Sequence, residues 1–148
     1  LCYEDDMLPP PDGLMKLIES IEGHVDGNKY DGMCGLYWTK GDGGMPQIYG
    51  DPKIVPKNYI PQMPVDNSIV PCNGVAQGFT LFRISMFLKG DIEKPFFKTV
   101  QEYSPISGPS QGTQDLYFCN KATAKGYKFA VDCRVKVGHY NIDNDTIY

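Results

Sequence analysis

The chain has 148 residues and carries 14 Lys and Arg against 18 Asp and Glu, a formal charge of -4. A hydrophobic content of 41% and a charged content of 22% are those of an ordinary globular chain and exclude extended disorder. The acidic balance argues against nucleic acid or an anionic membrane surface as main partner, and no apolar run is long enough to cross a bilayer.

This length fits one domain with a core, here spanning residues 1–148. Gly 16 and Pro 12 together make up about a fifth of the chain, so much of it is shaped loop. The five cysteines, Cys2, Cys34, Cys72, Cys119 and Cys133, contain no C-x-x-C pair, which removes the zinc-ribbon and thioredoxin readings. Their apolar neighbours and wide spacing read as reduced, buried thiols in a cytoplasmic setting. A charged leader with a cleavage site is not seen, so secretion has no support. The first residues already read as strand, so the chain is expected to begin inside a fold.

Leu1 to Tyr3 is apolar, then meets Glu4-Asp5-Asp6, and Pro9-Pro10-Pro11 blocks continuation of the strand. Leu14, Leu17, Ile18 and Ile21 lie at helical spacing, with Asp12 as N-cap and Gly23 as stop. Met33 to Trp38 reads as a second strand. From Thr39 to Pro71 a long loop is expected, broken by strand-like pieces at Gln47-Ile48-Tyr49 and Ser68-Ile69-Val70. Val75 to Phe82 reads as a strand containing Gly78, and Ile84 to Leu88 as a short helix. Lys89 to Ser110 reads as loop. Thr113 opens a helix that Gly126 closes, with Leu116, Cys119, Ala122 and Thr123 as its apolar stripe. Lys128 to Asp132 and Arg134 to His139 read as two short strands, and the tail from Asn141 as polar. The alternation of strand and helix gives an α/β fold with a mixed central sheet, flanking helices and long loops.

Three consecutive carboxylates at Glu4, Asp5 and Asp6 repel one another unless a cation or solvent intervenes. A hard divalent ion such as Mg²⁺ or Mn²⁺ would relieve the repulsion, and so would a solvated acidic turn. Asp115 falls in the first turn of a helix. There it either complements the helix dipole or acts as a general base on an incoming hydroxyl. His24 reads as a surface residue. His139, after Gly138 at a strand end, is a metal ligand or a hydrogen-bonded side chain.

Taken in order, these segments resemble a family 2-type glycosyltransferase of the GT-A fold. Glu4-Asp5-Asp6-Met7-Leu8-Pro9-Pro10-Pro11 resembles the acidic DxD-type motif and the proline-led helix that follows it. Gly35-Leu36-Tyr37-Trp38-Thr39-Lys40 resembles the next strand, and Gly78-Phe79-Thr80-Leu81-Phe82-Arg83 is similar to the segment on the acceptor side. Thr113-Gln114-Asp115-Leu116-Tyr117-Phe118-Cys119 resembles the "ED" motif helix, and Val135-Lys136-Val137-Gly138-His139 the closing "VGH" strand. The resemblance implies a Rossmann-like GT-A domain without its amino-terminal nucleotide-binding half. It implies that Glu4, Asp5 and Asp6 face the donor, that Asp6 and His139 hold Mn²⁺ or Mg²⁺, and that Asp115 is the base. Trp38, Gly78 and Gln114 would line the substrate side, with Tyr37, Phe96 and Phe97 as platforms for sugar faces. Gln114 stands where the family has Glu.

The implied activity is metal-dependent transfer of a sugar, of the hexosyltransferase type, from a nucleotide-diphospho-sugar donor to an acceptor hydroxyl, with inversion. The acceptor class, whether saccharide, lipid or protein, stays open. The protein is expected to be cytoplasmic or peripheral at a membrane, and the sheet edge left by a missing half could pair with a second copy. Two alternatives stay open: a truncated or degenerate GT-A domain that only binds, and a metal-dependent hydrolase using the same carboxylates.

Overall fold

A computed structural model describes residues 1–104 and 108–148, with side chains described outside 102–111. It is a mixed α/β fold with few helices. Strand β1 (Cys2–Tyr3) runs into the acidic turn and then β2 (Met7–Leu8), and α1 (Gly13–Ile21) follows the prolines. Next come β3 (Gly32–Leu36), β4 (Ile48–Tyr49), β5 (Ile69–Cys72), β6 (Gly74–Val75), β7 (Phe79–Phe82) and α2 (Ser85–Leu88). The chain continues with β8 (Val100–Ser104), β9 (Gly108–Gly112), α3 (Gln114–Ala124), β10 (Phe129–Lys136), β11 (Gly138–Asn141) and β12 (Thr146–Ile147).

The main sheet has the order β1-β7-β3-β10-β5, with β3 and β10 parallel and the other neighbours antiparallel. Along β10 only Arg134 and Lys136 escape full burial. A strand covered on both faces carries a nearly continuous apolar run rather than an alternating one. Asp132 lies inside that run, fully buried, and it broke the expected pattern into two strands. The structure keeps one strand because the carboxylate is satisfied where it stands. Ser20 Oγ of α1 donates to Asp132 Oδ2 at 2.6 Å, and Arg134 donates from Nε to Oδ1 at 3.0 Å and from Nη2 to Oδ2 at 2.8 Å. This network ties α1 to the sheet beside Leu17 and Ile21, which are buried while Leu14 and Ile18 remain exposed.

Helix α3 starts at its expected cap, Thr113, and Gly126 follows it with a φ of +86° that L side chains rarely adopt. Its buried face is Phe118, Cys119 and Ala122: Cys119 and Ala122 belong to the expected stripe, whereas Leu116 and Thr123 are half-buried and Phe118 takes the central place. Phe118 stacks on Phe87 with ring centroids 5.3 Å apart, and Phe97 lies 4.8 Å from Phe118. Phe96 packs edge-on against Phe87. Phe96 and Phe97 therefore belong to an aromatic cluster with Phe87 and Phe118.

Three more expectations are corrected. The stretch 89–110 is not loop throughout, since β8 and β9 pair as a hairpin; residues 105–107 of it lie outside the described residues. The strand expected over 75–82 divides into β6 and β7, which pair with β4 and β3 respectively. The polar tail returns as β12 against β11. Four cysteines are buried as expected, whereas Cys2 is only half-buried, and all five are free thiols. The long segment 39–71 is pinned down: Gln62 Nε2 donates to the carbonyls of Gly50 and Pro71, and Asn73 Nδ2 to that of Asn58. No described helix is long and apolar enough to cross a membrane.

Candidate functional site

Strand β2 pairs antiparallel with β11 in a register that sets His139 opposite Met7 and Gly138 opposite Leu8. Tyr140 N–H donates to the Asp6 carbonyl at 2.8 Å. This pairing carries an imidazole from near the carboxyl end to the acidic turn near the amino end. His139 Nε2 lies 3.4 Å from Asp6 Oδ2. The other ring nitrogen, Nδ1, is 2.7 Å from the Trp38 carbonyl oxygen. A carbonyl oxygen only accepts, so Nδ1 carries a hydrogen, and Nε2 is the nitrogen that faces Asp6. Metal-ligating histidines are oriented in this way, by a carbonyl or carboxylate on the far nitrogen. Tyr37, buried beneath, meets the imidazole edge-on with centroids 5.7 Å apart.

Two adjoining clefts open here. One, of about 320 Å³, is lined by Glu4, Tyr37, Lys40, Gln77, Asp115 and His139 among others. The other, of about 330 Å³, is lined by Glu4, Gln77, Thr99, Thr113, Gln114 and Asp115. Glu4, Gln77 and Asp115 are common to both and so stand at the boundary. Burial, then the charges of Asp6 and Asp115, push the Glu4 carboxyl above its ordinary range. Asp6 moves the other way, chiefly because Lys40 hydrogen-bonds to it. Asp115 Oδ1 accepts the N–H of Leu116 at 2.8 Å, which holds the carboxylate at the start of α3.

Lys40 is a residue the sequence reading passed over. Its ammonium lies 2.6 Å from Asp6 Oδ2, and it is the one lysine or arginine among the described residues lining the two clefts. Nothing local marks it, since its partner is 34 positions away. Gln77 was also missed: its Nε2 is buried and makes no hydrogen bond among the described residues. Such an amide lacks a partner of its own and suits an oxygen of a bound molecule.

The remaining expected residues fall in different places. Asp5 is exposed and lines neither cleft. Trp38 lines a separate cavity with Pro64, Lys136, Val137 and Tyr148, and its carbonyl accepts from His139 Nδ1. Gly78 lines neither cleft. Its N–H donates to Tyr37 Oη at 2.8 Å, and an added Cβ would meet that ring at 2.7 Å, so it is a close-approach residue. Gln114 lines the second cleft.

The donor chemistry suits a divalent ion in part. A carboxylate oxygen and an imidazole nitrogen face one another, but among the described residues no group of three or more His, Cys, Asp or Glu is gathered to chelate a metal. An ion here would draw its other ligands from substrate oxygens and water, as Mg²⁺ does at phosphate sites.

No protein-family model and no curated protein matches this chain. Among solved structures it is similar to A197 from STIV, with a TM-score of 0.57 and 18% identity over 98% of this chain. At that identity the likeness shows a shared fold and nothing of activity. The chain spans 62% of the length of that structure.

Proposed function

We propose that the paired clefts transfer a sugar from a nucleotide-diphospho-sugar to an acceptor hydroxyl, on a GT-A framework of the family 2 glycosyltransferase type. The observation that carries this reading is the convergence of Glu4, Asp6, Asp115 and His139. Three distant segments supply them, with Glu4 and Asp115 at the boundary between two clefts. Transfer between two substrates needs two adjoining spaces and a base where they meet. Asp115 would accept the acceptor hydroxyl's proton. With that carboxylate acting as base and no protein nucleophile invoked, the outcome is inversion, by the logic of inverting glycosidases. Asp6 and His139 would hold Mn²⁺ or Mg²⁺, which supplies positive charge to the departing diphosphate. Gln77 would donate to a sugar or phosphate oxygen at the boundary, and Gln114 would lie on the acceptor side.

One observation favours a second reading, a GT-A-like domain that binds without chemistry: the Asp6 carboxylate is already paired, by Lys40. One experiment separates the two. A panel of nucleotide sugars is incubated with the protein and Mn²⁺, and released nucleoside diphosphate is measured alongside calorimetric binding. Metal-dependent release supports transfer. Binding without release supports the second reading, and neither binding nor release removes both.

A further inference from the structure

A cavity of about 620 Å³ opens in a part of the fold that the proposed transfer does not use, and none of its lining residues lines either cleft. Thr123, toward the far end of α3 from Asp115, contributes to its wall, and the helical rise between the two is about 12 Å. Buried Tyr30, Cys72 and Phe129 form its apolar inner side, and Ile54 and Val55, both exposed, its outer side. Lys53, Lys57 and Lys128 line the same cavity, and no described aspartate or glutamate does. On a chain of net charge -4 this is a local reversal of sign. Among the described residues none of the three lysines is ion-paired. We propose that this cavity binds a small amphipathic anion, an apolar body that carries a carboxylate or phosphate head.

The acids that neighbour the cavity in sequence have partners elsewhere. Asp51 Oδ1 accepts the N–H of Lys53 at 2.8 Å, Asp31 Oδ2 that of Lys128 at 2.9 Å, and Asp26 Oδ2 the Tyr30 hydroxyl at 2.7 Å. The Lys57 ammonium donates to Asn120 Oδ1 at 2.6 Å and to Thr123 Oγ1 at 3.2 Å. Both partners are neutral, so its charge is fixed on the wall without being cancelled. Lys53 and Lys128 are exposed, and their long stems can carry an ammonium to a bound head group. Lysine acts as a point charge rather than a planar fork, so carboxylate and phosphate suit it alike. The volume falls within the range of about 300–1,000 Å³ typical of small-molecule sites. A neutral apolar guest would leave the lysine charges unanswered, and a bare anion would leave the apolar side wet. An amphipathic anion satisfies both.

The test uses anilinonaphthalene sulfonate, a fluorescent apolar anion, and phenylnaphthylamine, the same ring body without the charge. The full chain should bind one equivalent of the anionic dye, and the neutral dye at least about tenfold more weakly, the loss expected of one hydrogen bond to a charged group. Lys53→Gln combined with Lys128→Gln should weaken the anionic dye about tenfold, and the two Lys→Arg changes together should not. Ile54→Glu sets a carboxylate in an exposed loop beside the lysines and should weaken it similarly. Thermal unfolding verifies folding, and this single surface change keeps the test decisive should the double variant unfold. Asp115→Asn should leave dye affinity unchanged. Octyl phosphate and octanoate then compete with the dye, and displacement by either names the head group. Equal affinity for the two dyes, no loss in the Lys→Gln and Ile54→Glu variants, or displacement by neither competitor overturns the proposal. Loss in Asp115→Asn overturns it too, since the dye then sits in the clefts. No step involves sugar transfer or a metal, so the result stands apart from that reading.

Discussion

His139 donates its Nδ1 hydrogen to the backbone carbonyl of Trp38, and this contact at 2.7 Å fixes which nitrogen faces Asp6. Trp38 also lines a separate cavity and neither of the two clefts. The two residues should therefore respond differently to substitution. His139→Ala should weaken Mn²⁺ binding at least about tenfold, a loss of the size seen when metal-site ligation is disturbed. Trp38→Phe keeps the carbonyl and should leave Mn²⁺ affinity within about threefold. Calorimetry on both variants checks this. A large loss in Trp38→Phe alone would show that the indole, not the backbone, serves the site.

The proposed reading has Asp115 remove a proton and not hold the donor. Asp115→Asn keeps shape and hydrogen bonding but not basicity. Transfer should fall by about 10²–10⁴-fold, the usual span for a general base. Nucleoside diphosphate affinity and the unfolding midpoint should stay close to the parent. Equal losses in binding and turnover would assign Asp115 to substrate capture instead.

The parts of the fold visible in the sequence were those written in local pattern. Thr113 and Gly126 bracket α3, and the spacing of Leu17 and Ile21 marks the buried side of α1. The β8–β9 hairpin was hidden because Val100-Gln101-Glu102-Tyr103-Ser104 and Gly108-Pro109-Ser110-Gln111-Gly112 show no apolar alternation. Asp132 concealed the continuity of β10 because its partners Ser20 and Arg134 meet it only in the folded state. The same limit applies at the site. Asp6, Asp115 and His139 could be singled out by residue type and order, but their approach depends on the β2–β11 register and on the start of α3. Lys40 and Gln77 carried no signal, since one is an isolated lysine in a glycine-rich loop and the other an amide beside Gly78. Trp38 was chosen for its ring, whereas the fold uses its carbonyl.

Glu4 links the site to pH. Its carboxyl is raised by burial and by the neighbouring acids, so around and just above the ordinary glutamate value of about 4.3 the folded chain binds more protons than the unfolded chain. Stability from this group is therefore full at low pH and is lost as pH rises through the raised value. Glu4→Gln removes the dependence. The variant should match the parent in acid and gain in thermal midpoint relative to it toward neutral pH. A difference between the two that does not change with pH would contradict the crowding of acids around Glu4.

Gln77 should separate stability from function. Its buried Nε2 makes no hydrogen bond among the described residues, so Gln77→Met removes a desolvated polar group at little structural cost. The urea midpoint should hold or rise. Donor affinity should fall about fivefold or more, the loss expected of one hydrogen bond. A large drop in the midpoint instead would place the amide in the scaffold.

The most direct measurement is anomalous diffraction from crystals grown with Mn²⁺ and a nucleoside diphosphate. The account predicts a manganese peak in bonding contact with Asp6 and with His139 Nε2, and the diphosphate in the cleft beside them. Manganese bound elsewhere, or diphosphate seated in another cavity, would contradict it.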